Sequence, residues 1–60
     1  MQSGDKVMIL SVDKRQRSLG FKPGQTYQVW ITYEDLIYLE SPVRHKTQED
    51  YFYPHQLQAV

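Results

Sequence analysis

TYQVWITYEDLIYLE, residues 26–40, is the stretch whose reading decides the fold. Its first half is β-branched and aromatic, a composition that suits a pleated, half-buried surface. Side chains alternate along a strand, so Tyr27, Val29 and Ile31 share one face while Gln28 and Trp30 take the other. In the second half Ile37 and Leu39 stand together, with Leu36, Tyr38 and Glu40 opposite. The two halves read as a hairpin, and the connection follows from register. A two-residue loop at Glu34-Asp35 sets Val29 against Glu40 and buries a carboxylate. A three-residue loop at 33–35 pairs Ile31 with Ile37 and Val29 with Leu39. A slip of one residue turns a whole apolar set to the wrong face. The pattern therefore predicts the three-residue loop, with Asp35 as its left-handed residue. That register sets Trp30 opposite Tyr38 on the outer face, a cross-strand pair worth about 0.2–1 kcal/mol.

Upstream, KVMILSV at 6–12 reads as a first strand with apolar residues on both faces. Residues 13–18 read as a polar, mostly basic loop, with Leu19 and Phe21 tucked beneath it. Lys22-Pro23-Gly24-Gln25 carries the Pro-Gly signature of a type II turn. Downstream, Ser41-Pro42 closes the hairpin, because Pro cannot donate to a ladder. A mixed-charge loop at 43–49 follows, then a short strand at 50–53. Pro54-His55-Gln56-Leu57 has the form of a 3₁₀ turn with Pro first, and 58–60 gives a last strand. Five short strands separated by turn signals predict a small all-β barrel, one domain over 1–60.

Composition narrows the function. Sixty residues bury only about 60% of their unfolded surface, so the core is thin. With no cysteine, disulfides and thiolate metal sites are excluded. This fits a cytoplasmic setting. No run reaches the length of a membrane span, and the first residues lack the apolar core of a signal peptide. Seven basic and seven acidic residues cancel, which leaves no global field to attract a polyanion. Five Tyr, two Phe and one Trp are more rings than so small a core can enclose.

Gly4-Asp5-Lys6-Val7 opening the first strand, Phe21-Lys22-Pro23-Gly24-Gln25 before the second, and Tyr53-Pro54-His55-Gln56-Leu57 followed by Val60 together resemble the SH3-like barrel. The second is similar to that family's diverging turn, and the third to its aromatic-Pro-x-x-aromatic ending. The resemblance implies a five-stranded barrel with a 3₁₀ turn before the last strand. The first strand has no Tyr, the loop at 13–18 is basic rather than acidic, and the single Trp lies within a strand. The polyproline groove of eukaryotic SH3 domains is matched only by Tyr53 and Pro54. The chain looks closer to the short SH3-like modules of bacteria and phages, which serve as accessory subunits, regulators or binding proteins. Such a fold hosts many functions.

Candidate residues follow from exposure and chemistry. Trp30 and Tyr38, with Tyr33 and Tyr53 and with Tyr51 as a further extension, form a candidate partner-binding surface, because such rings bury large area at low entropy cost. The competing reading has Trp30 and Tyr38 covering a twisted ribbon or covered by the loop from Pro42 to Glu49, and the other tyrosines packing at the barrel rim. Arg15 and Arg17, with Arg44 and Lys46, form a candidate nucleic-acid strip on two basic loops. Zero net charge ranks that reading below two solvated loops. His45 and His55 lack the convergent partners of a zinc site, and no serine sits in a nucleophile elbow. So small a barrel has little room for a water-excluding pocket. The expectation is a small, non-catalytic cytoplasmic interaction module without cofactor or membrane anchor, binding a protein partner or a second copy of itself.

Overall fold

The computed structural model describes residues 1–41 and 49–60, so most of the expected 43–49 loop, with Arg44, His45 and Lys46, lies outside the described residues. The chain runs β1 (Lys6–Ile9), α1 (Lys14–Ser18), β2 (Thr26–Tyr33), β3 (Leu36–Leu39), β4 (Tyr51–Phe52), a 3₁₀ turn (Pro54–Gln56) and β5 (Leu57–Ala59). The strands form one antiparallel sheet in the order β4-β3-β2-β1-β5. β2 is the longest strand and is shared. Its first residues pair with β1 (Val7 with Tyr27), and its remainder pairs with β3 (Val29 with Leu39). In the described pairing, β4 and β5 are the sheet's two edges.

One face of the sheet is apolar, as alternation requires. Val7, Ile9, Val29, Ile37, Leu39, Phe52 and Leu57 are buried there with Phe21. Phe21 meets Phe52 and Tyr27 edge-on, with ring centroids 5.0 and 5.8 Å apart. This geometry sets the positive edge of one ring against the negative face of the next. Phe21 is brought there by the Pro23-Gly24 turn. Gly24 has φ +92°, a conformation that costs glycine nothing, and the turn is stapled to the end of β1. Gly24 N–H donates to the Ile9 carbonyl (2.8 Å), and Ile9 N–H donates to the Gln25 carbonyl (2.9 Å).

The hairpin departs from the register predicted for it. The turn has two residues, Glu34 and Asp35, with Tyr33 opposite Leu36, Thr32 opposite Ile37 and Ile31 opposite Tyr38. Val29 nevertheless faces Leu39, because the ladder shifts between Val29 and Ile31. That β-bulge at Trp30 resolves the conflict seen in the sequence. A two-residue turn in straight register buries Glu40, whereas one extra residue in β2 restores Val29–Leu39 and leaves Glu40 exposed. Three expectations are corrected together. Ile31 pairs with Tyr38 rather than Ile37; Trp30 is the bulged residue rather than Tyr38's partner; and Glu34 (φ +54°), not Asp35, is left-handed.

The bulge is held from outside the hairpin. Residues 2–5 form a turn closed by Asp5 N–H to the Gln2 carbonyl (3.0 Å) and by Gln2 N–H to Asp5 Oδ2 (2.9 Å). This turn locks onto β2 where the ladder is interrupted. Gly4 N–H donates to the Val29 carbonyl and Val29 N–H donates to the Asp5 carbonyl, both at 2.7 Å. The Ser3 hydroxyl donates to the Trp30 carbonyl at 2.6 Å. The Val29 bonds extend the β1–β2 pairing by one step, and the Trp30 carbonyl at the bulge finds its partner in Ser3.

Two further corrections concern β1 and the basic segment. β1 ends at Ile9, because Leu10 N–H turns to the Gln56 carbonyl of the 3₁₀ turn (2.7 Å). Residues 13–18 are not a loop but contain α1. Asp13 caps it, accepting from Gln16 N–H (2.8 Å), and Gln16 reaches back to Asp13 N–H (2.9 Å). Gly20, at φ +100°, ends it. Five residues cannot sustain a helix alone; burial of Gln16 in the protein compensates.

Candidate functional site

The outer face of β2, β3 and β4 carries the aromatic surface. Residues paired across an antiparallel ladder share a face, and so do residues two apart. Tyr38 is paired on one side with Ile31 and on the other with Tyr51. Its ring lies 6.3 Å from that of Tyr51, which lies 5.8 Å from Tyr53, both contacts edge-on. Tyr53 stacks in turn on His55 at 6.0 Å and 11°. Tyr33 and Leu36, two residues closer to the turn, continue the surface toward its acidic tip. Ile31, Tyr33 and Tyr53 are 42%, 64% and 40% exposed, while Leu36, Tyr38 and Tyr51 are half-buried.

The structure brings Tyr33, Tyr38 and Tyr53 onto this one surface. Trp30 is half-buried at the bulge and engaged within the chain. Tyr51, expected to extend the surface, is the ring that connects Tyr38 to Tyr53. One member is unexpected. Ile31 was assigned to the interior and is turned outward by the bulge. Nothing in a straight alternation exposes Ile31; the signal that finds it is the conflict between a two-residue turn and Glu40.

Arg15 is built into the edge of this face. Its guanidinium carbon sits 3.8 Å from the Tyr51 ring centroid, over the ring, a cation–π contact. Its Nη1 donates to the carbonyls of Tyr51 (3.2 Å) and Glu49, and its Nη2 pairs with Asp13 Oδ2 at 3.1 Å. Asp13 is held below the ordinary carboxylate value of 3.8, first by the Gln16 backbone N–H it accepts from and then by the Arg15 charge. Arg15 therefore ties α1 to β4. Arg17 and Lys14 remain exposed on α1.

Beneath Arg15 lies a buried amide pair. Gln16 and Gln56 exchange reciprocal hydrogen bonds, Gln16 Nε2 to Gln56 Oε1 at 3.0 Å and Gln56 Nε2 to Gln16 Oε1 at 2.7 Å. Gln16 Nε2 also donates to the Tyr51 carbonyl (2.9 Å), and Gln56 Oε1 accepts from Tyr53 N–H (3.0 Å). This pair fixes the backbone on which Tyr51 and Tyr53 are displayed.

A cleft of about 200 Å³ opens at the turn end of the hairpin, lined by Met1, Thr32, Glu34, Asp35, Ile37 and Pro54. Among the described residues, no three His, Asp or Glu side chains are grouped to hold a metal ion. Comparisons with family models, with curated proteins and with solved structures find no match to this chain.

Proposed function

We propose that the chain is an SH3-like, non-catalytic interaction module that docks a partner protein through the outer face of β2, β3 and β4. The fold part of this reading is supported by three features. β2 is shared between two ladders, β5 pairs with β1, and a 3₁₀ turn precedes the last strand. The functional part is carried by one observation. The bulge at Trp30 turns Ile31 outward beside Tyr38 and Tyr51, at the cost of an apolar residue to a core that has few. A contiguous exposed apolar face is a mark of contact, and tyrosines are among the residues that anchor such contacts.

Affinity capture from the source cell, quantified by mass spectrometry, tests it. Replacing Tyr33 and Tyr53 by Ser removes two exposed anchors worth about 1–2 kcal/mol each, so capture of the specific partner should fall by tenfold or more. Melting should move little. Undiminished capture by the folded double variant would overturn the reading. The nucleic-acid alternative rests on Arg15, Arg17, Arg44 and Lys46, and the engagement of Arg15 with Tyr51, Glu49 and Asp13 weighs against it. Salt-sensitive binding of oligonucleotides, lost on Arg17→Ala, would favour it instead.

A further inference from the structure

We infer that α1 is an edge guard: its side chains fill hydrogen-bonding positions along the outer edge of β4 that a neighbouring strand would take, and so keep that edge from pairing with the β4 edge of a second copy. The inference is independent of the docking role proposed for the aromatic face. Successive residues of a strand turn their backbone groups to alternate edges. Glu40 N–H donates to the Gln28 carbonyl, so Glu40 and Tyr38 are turned toward β2 and Ile37 toward β4. Phe52, paired with Ile37, is therefore turned toward β3, and Tyr51 away from it. The outward edge is occupied by side chains from the Glu49 carbonyl to the Tyr53 N–H. Arg15 Nη1 donates to the Glu49 and Tyr51 carbonyls, Gln16 Nε2 donates to the Tyr51 carbonyl at 2.9 Å, and Gln56 Oε1 accepts from Tyr53 N–H at 3.0 Å.

A glutamine amide carries the donors and the acceptor of a peptide group, so Gln16 and Gln56 stand in for the backbone of a strand. Their reciprocal bonds, at 3.0 and 2.7 Å, hold the two amides together without a main chain between them. Arg15 adds a charge to the edge, oriented by Asp13 Oδ2 at 3.1 Å. A covering helix and a charged side chain are both means by which sheets blunt an edge. The need for them is local. Tyr51-Phe52-Tyr53 is an aromatic run that suits a strand, and an uncovered edge of this kind is a template for another chain. β5, the other edge, is blunted by its own length: it has three residues, Leu57–Ala59, and the Leu57 N–H is already given to the Pro54 carbonyl.

Sedimentation equilibrium from about 10 μM to 1 mM tests the guard by removing it. Arg15→Ala with Gln16→Met frees the Glu49 and Tyr51 carbonyls and takes the charge off the edge, whereas Arg15→Ala alone keeps the Gln16–Gln56 pair and with it the fold. Each chain has one β4 edge, so pairing across a twofold axis closes at a dimer. The double variant should associate about tenfold or more tightly than the wild type, its average mass rising from 7.2 kDa toward twice that value. Where melting curves show the double variant unfolded, Arg15→Ala decides, with a rise in the same direction. N-methylation of Tyr51, introduced by chemical synthesis into the variant that associates, blocks its outward N–H and leaves the ladder to β3 intact. It should restore the monomer, while association through the uncovered Tyr51 ring would be indifferent to it. Folded variants that stay as monomeric as the wild type, a wild type that associates as tightly as they do, or a dimer unchanged by N-methylation would overturn the inference.

Discussion

Replacing Gln16 by Ala removes a side chain that is fully buried yet entirely polar. Four hydrogen bonds go with it: two to the Gln56 amide, one to the Tyr51 carbonyl and one from Asp13 N–H. Each is worth about 0.5–1.5 kcal/mol net, and the Gln56 amide is left buried with half its partners gone. The expected loss is about 2–4 kcal/mol. A chain of this length has about 3–9 kcal/mol in total, at about 0.05–0.15 kcal/mol per residue. The variant should therefore melt about 10–25 °C lower. Trp30, the single Trp, gives a fluorescence signal for thermal and urea unfolding. A double-mutant cycle with Gln56→Ala should return a coupling of about 1–2 kcal/mol, because the two amides bond each other directly. A drop of less than about 4 °C for Gln16→Ala, or no coupling, would refute the claim that this pair ties α1 to the last two strands.

The bulge predicts an asymmetry between two neighbouring apolar positions: Val29→Thr should cost about 1–3 kcal/mol, while Ile31→Thr stays within about 0.5 kcal/mol, both read from urea midpoints. Equal losses would place Ile31 in the core. Glu34→Asn should raise the melting temperature by about 2–6 °C, since Asn relieves the left-handed backbone there and Asp35→Asn does not. Asp13→Asn keeps a capping side chain but removes the charge. Because the folded carboxylate is held below 3.8, the charge stabilises above that value, and its contribution is lost as pH falls through the lower folded one. The stability gap between wild type and Asp13→Asn should accordingly be constant near neutrality and close below about pH 4. A gap unchanged at low pH would contradict it.

The succession of strands along the chain, the Pro-Gly turn, the 3₁₀ turn and the core residues Val29, Ile37 and Leu39 could be read from alternation and turn chemistry, because those signals are local. The bulge could not. It depends on residues 2–5, which satisfy the carbonyls of Val29 and Trp30 from far away in sequence. Straight alternation therefore placed Ile31 inside and Trp30 against Tyr38. The helix could have been read, since Asp13 and Gln16 form a capping box and Gly20 stops it. The basic run of Lys14, Arg15 and Arg17 hid that signal by suggesting a solvated loop. The site followed the same division. Tyr33, Tyr38, Tyr51 and Tyr53 were legible from their chemistry, whereas Ile31 needed the pairing across strands.

Cross-strand nuclear Overhauser contacts in the hairpin test the whole account without perturbing the protein. Backbone contacts of Ile31 with Tyr38 and of Thr32 with Ile37, together with Val29 with Leu39, are the predicted pattern. Ile31 facing Ile37 across a three-residue loop would return Ile31 to the interior and dissolve the docking face.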